Sequence, residues 1–170
     1  MLFFFKIIFS KAGGKMNTNL NDYMQSYLAH LKSCVTWFHA AHHVTKGPGF
    51  MSDHKDLYGN IYTQLGAHFD ALIEKSIALS GDESIACPLQ LSVLSSHVLN
   101  NQYDSPVNRS SQEIAEMSIK LVANLINSTS SIYEVFEESN MLTLGLDDTL
   151  TSHANEYENF LYFLGQRYKS

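Results

Sequence analysis

The chain has 170 residues, of which 45% are hydrophobic, and a net charge of −6 from 11 basic and 17 acidic side chains. That length and apolar content suffice for one domain with its own core and exclude a disordered tail. The acidic balance argues against a body that clings to nucleic acid. Cys34 and Cys87 are far apart and form no CxxC. They read as free, buried thiols in a reducing compartment, the cytoplasm, rather than as a disulfide framework.

Residues 1–16 read as an N-terminal tail or upstream extension, and residues 17–170 as the folded domain. Met1 to Phe9 is apolar but broken by Lys6, and far short of the roughly 20 residues that cross a bilayer. A docking tail or a signal core are the alternative readings of this stretch. From Asn17 onward, capping residues lead into apolar positions at steps of three and four, through Leu20, Met24, Leu28, Leu31, Val35 and Phe38. This predicts a helix over about 19–44. Gly47, Pro48 and Gly49 stop it. Leu57, Ile61, Leu65, Phe69 and Leu72 form the stripe of a second helix over about 53–79, ended by Gly81.

Residues 82–110 read as a long crossover with a short helix inside it, Leu89 to Leu99. Ser110 and Glu113 make a capping box for a third long helix reaching about Asn140, with a bend expected at Asn127 to Ser131. Asp147 is the expected cap of a fourth helix that reaches about Tyr168. Hairpin, crossover, hairpin is an all-α, ferritin-like four-helix bundle with a short helix in the long middle crossover.

The chemistry-bearing residues gather around the first turn. His39, His42 and His43 end the first helix. His54 opens the second, and Asp70 and Glu74 lie further along it, four apart and so on one face. Imidazole and carboxylate together suit iron, manganese or zinc. A lone His42 reads as a core histidine, and a lone Asp70 or Glu74 as surface charge; the combination favours ligands. His68 reads as surface or interface, Trp37 and the Tyr58/Tyr62 pair as packing, and Glu134, Glu137 and Glu138 as a solvated face. No Glu precedes a His by three positions, so the Glu-x-x-His signature of ordinary di-iron bundles is absent.

His42 five residues before Gly47, Phe50 three after it, His54 four further on, and Asp70 with Glu74 together resemble the Dps family, the miniferritins. The resemblance covers about residues 20–168 and extends to the crossover helix. It implies a hollow homododecamer that oxidises Fe(II), often with peroxide, stores ferric mineral and protects against oxidative damage. It also implies an inter-subunit centre, with His42 and His54 of one chain facing Asp70 and Glu74 of another. The family carries a further carboxylate four residues after the second histidine. Tyr58 stands there in this chain. The interval from His54 to Asp70 is also one residue longer than the family's, so that counting back from Asp70 puts Gly59 in the acid's place. Asp56, or Asp53, is the candidate substitute. A degraded metal site in the same shell, and a nucleoid-binding module, are the rival functions; for the latter only Lys6, Lys11 and Lys15 make the tail basic, so DNA binding is expected to be weak or absent.

Overall fold

The computed structural model describes residues 20–170, so the expectations for residues 1–16 and for capping at Asn17 to Asn19 lie outside the described residues. Among the described residues five α-helices carry the fold: α1 (Leu20–Val44), α2 (Asn60–Ser80), α3 (Pro88–Gln102), α4 (Ser111–Glu138) and α5 (Leu144–Lys169). Helix α1 packs against α2, α3 and α4, and α4 packs against α5. This is the predicted bundle of two hairpins, with α3 in the crossover between them. Leu28, Leu31, Phe38, Leu65, Leu121 and Leu164 are buried in one core, which supplies most of the driving force.

The helix ends follow their local chemistry. The Ser110 hydroxyl accepts from the Glu113 amide at 3.2 Å, and the Glu113 carboxylate accepts from the Ser110 amide at 2.7 Å. This is the predicted capping box. Gly81 ends α2 in the left-handed region, with φ +69. One expectation is corrected. The cap of α5 is Thr143, whose hydroxyl accepts from Leu146 N at 3.2 Å, so the helix begins before Asp147. Helix α4 runs unbroken through Asn127 to Ser131. There the hydroxyls of Ser128, Thr129 and Ser130 each donate to the carbonyl four residues earlier, which satisfies them without leaving the helix.

The segment between the first two long helices departs from regular α geometry. Ser52–Gly59 is π-helical and passes directly into α2. A π turn holds one residue more than an α turn. It therefore shifts the faces of α2 relative to His54 from those of a continuous α-helix.

Polar groups inside the bundle are paired across helices. The Tyr27 and Thr129 hydroxyls lie 2.8 Å apart, and His30 bridges the hydroxyls of Ser128 and Tyr103. Burial pushes His30 down to about 4, so it is neutral at pH 7. Trp37, read as packing, is buried and donates its indole N–H to the Asp104 carbonyl at 2.8 Å. Both thiols are free. Cys34 is buried, and that burial raises its pKa well above the usual thiol range, whereas Cys87 is only half-buried.

Candidate metal centre

His42 sits in the last turn of α1 and His54 in the π-helical segment, and the two rings stack with centroids 3.7 Å apart and planes 19° apart. Each ring is held by the other residue's backbone. His42 Nδ1 lies 2.6 Å from the His54 carbonyl oxygen, and His54 Nδ1 lies 2.7 Å from the His42 carbonyl oxygen. A carbonyl only accepts, so both Nδ1 atoms carry the proton. Each Nε2 is left with a free lone pair. Fixing the tautomer in this way is what backbone carbonyls do behind metal-binding histidines.

Gly59 makes this arrangement sterically possible. Its φ of −61 is ordinary helix, so it is not needed for backbone freedom. A Cβ at this position would meet the His54 carbonyl oxygen at 2.7 Å and His42 Nδ1 at 3.2 Å. The place counted for a carboxylate is thus filled by the His42 ring. Tyr58, the other place, is fully buried and stacks loosely on Phe38 with centroids 6.3 Å apart. It points into the core.

The two candidate substitutes have different fates. Asp53 is buried, accepts from Arg167 Nε at 2.6 Å and lies 3.5 Å from the Thr45 hydroxyl, so it is committed to an ion pair. Asp56 is exposed. Asp70 and Glu74 are exposed on α2, one helical turn apart. From Asn60 to Asp70 the helix rises about 15 Å, which separates these carboxylates from the histidine pair of the same chain. Among the described residues no group of three or more His, Cys, Asp or Glu side chains is placed to hold a metal ion within one chain.

The surroundings of the pair are aromatic. Tyr62 packs on His39 and His42, with centroids 4.8 and 5.2 Å away, and Phe50 stacks on His54 at 5.1 Å. His68, read as surface or interface, is half-buried within the chain and stacks on His153 of α5 at 3.9 Å, where α2 and α5 are neighbours. Glu134, Glu137 and Glu138 are exposed, as read.

Three features here were not read from the sequence: the carbonyl clasp, the spacing role of Gly59 and the diversion of Asp53. The available signal was a glycine inside a helical pattern, which is destabilising unless something needs the space.

No family model matches the chain, and no curated protein matches it by sequence. Solved structures do. A tetragonal form of Mycobacterium smegmatis Dps is 21% identical, over 85% of this chain and 82% of its own, with a TM-score of 0.70. A C-terminal deletion mutant of the same protein is 20% identical over 87% and 95%, with a TM-score of 0.69. The fold is the Dps fold. A Dps protein from Vibrio cholerae O1 is 17% identical over 91% of this chain and 98% of its own, with a TM-score of 0.65. It is described as a member of a broad superfamily of ferritin-like diiron-carboxylate proteins. Among the described residues no helix is long and apolar enough to cross a membrane.

Proposed function

We propose that this chain is one subunit of a Dps-like homo-oligomer that oxidises Fe(II) with peroxide and sequesters the ferric product, with iron as substrate and cargo. His42 and His54 of one subunit would meet Asp70 and Glu74 of a neighbour. The observation that carries the reading is the pair of Nδ1–carbonyl bonds, 2.6 and 2.7 Å long, which leaves both Nε2 lone pairs available. With one donor Nε2 on each ring, the pair suits two ions, one per histidine, as two-metal sites require. The rise along α2 means that one chain cannot close the site, which is why the reading requires an oligomer; twelve copies is the number that the family resemblance supplies.

The residues divide the work. Two neutral imidazoles hold Fe(II) without adding charge. Two carboxylates add negative charge that stabilises Fe(III) more than Fe(II), which favours electron loss to peroxide. Two Fe(II) and one hydrogen peroxide give two Fe(III) and two waters, taking up two protons. Loading the protein with Fe(II) and peroxide is expected to give protein-held ferric absorbance that is lost in His42→Ala/Asp70→Ala. Equal mineral in that double variant would refute the site.

A second reading has its own observation. Gly59 has no side chain and Asp53 is paired with Arg167, so the centre is one carboxylate short and the shell holds metal poorly. Less than one iron or zinc per subunit after loading with either ion would favour this reading. DNA forms no part of either reading: at net charge −6, no gel retardation is expected even at low salt.

A further inference from the structure

We propose that His39 and His43 form a second, surface metal site, a two-nitrogen chelate for a borderline divalent transition metal, with Cu(II) bound most tightly. It does not depend on the proposed iron chemistry. The two residues are four apart on α1, and both are exposed. Side chains at this spacing stand over one another on a helix face. Here they converge: the Nε2 atoms are 3.1 Å apart and the ring centroids 4.6 Å apart, with planes inclined at 60°.

The nitrogen separation decides the chemistry. An ion bound at the usual 2.0–2.1 Å from each imidazole nitrogen would subtend an angle of about 100° at nitrogens this far apart. That lies between the tetragonal angle of about 90° and the tetrahedral angle of about 109°. The two rings are inclined at 60°, whereas those of His42 and His54 are near-parallel. Without metal, one Nε2–H donates to the other Nε2. Binding needs only that this proton move to the Nδ1 of its own ring, which frees the second Nε2 lone pair.

The pair is also braced. Tyr62 packs against His39 with centroids 4.8 Å apart, and the His42 ring meets His43 edge-on at 4.9 Å. Rotamer freedom is therefore already reduced on one side of each ring. Water fills the remaining positions of the ion, and the order of affinities for nitrogen donors places Cu(II) above Ni(II) and Zn(II).

The test is a titration of the full-length, metal-free protein with Cu(II) and then Zn(II), followed by calorimetry and by Cu(II) paramagnetic resonance. One Cu(II) per chain is expected in a two-nitrogen environment. His39→Asn and His43→Asn are each expected to weaken it about 100-fold, the low end of what an intramolecular second contact adds. Both side chains are exposed, and unchanged helical circular dichroism would show that the fold survives. His42→Ala removes the ring that braces His43 and is expected to weaken this Cu(II) site by less than either asparagine variant. If Cu(II) affinity is unchanged in both asparagine variants, or falls only in His42→Ala, the chelate assignment is overturned; the latter result would move the ion to the neighbouring centre without removing the iron proposal.

Discussion

Replacing Gly59 with alanine is expected to destabilise the protein, against the ordinary rule for helices. Alanine is better than glycine inside a helix by about 1 kcal/mol. At position 59 the added methyl would sit 2.7 Å from the His54 carbonyl oxygen and 3.2 Å from His42 Nδ1. The first contact is with backbone and cannot be relieved by turning a side chain. Overpacking of this kind costs about 1–3 kcal/mol, so the net change is a loss of up to about 2 kcal/mol, roughly 1 kcal/mol at the middle of that range. For a chain of this size that lowers Tm by about 2–4 °C per kcal/mol. The carbonyl that must yield also accepts the His42 Nδ1 proton. Iron binding should therefore weaken along with stability, and the ring nitrogens of His42 should change their resonance. Gly66 is the internal control. It lies in α2, and a Cβ there meets nothing within 4 Å, so Gly66→Ala should melt a few degrees higher. Melting curves at one protein concentration compare the two. Gly59→Ala melting as high as the parent, with unchanged iron binding, would refute the spacing role.

Other expectations concern charge and burial. His30 is held at about 4 by desolvation, below its unfolded value near 6.5. The unfolded chain thus binds the proton first. Its contribution is complete above pH 6.5 and is lost as pH falls toward 4, on the order of 3 kcal/mol in all. Urea unfolding between pH 7 and 4 should show a shallower loss in His30→Gln; an identical pH slope would count against it. Arg167→Ala leaves the buried Asp53 carboxylate without its partner and should cost about 3 kcal/mol. Because Asp53 adjoins His54, it should also weaken metal binding, which a loading assay on the folded variant would detect.

The sequence alone determined the elements. Steps of three and four in α1 and α2, the Ser110/Glu113 capping box and the Gly47 to Gly49 break are local signals, and local hydrogen bonding and packing periodicity obey them. So does the pairing of His42 with His54, which the turn between them brings to one end of a hairpin. Tertiary structure decided what fills the space around that pair. Asp53 looked available until Arg167, 114 residues later, claimed it. Gly59 looked like a lost acid until the His42 ring was seen to need its missing Cβ. The π-helical turn between His54 and Asp70 is a local change of helix pitch that residue spacing does not announce. Each depends on which atoms meet across helices, and spacing along one chain does not carry that information.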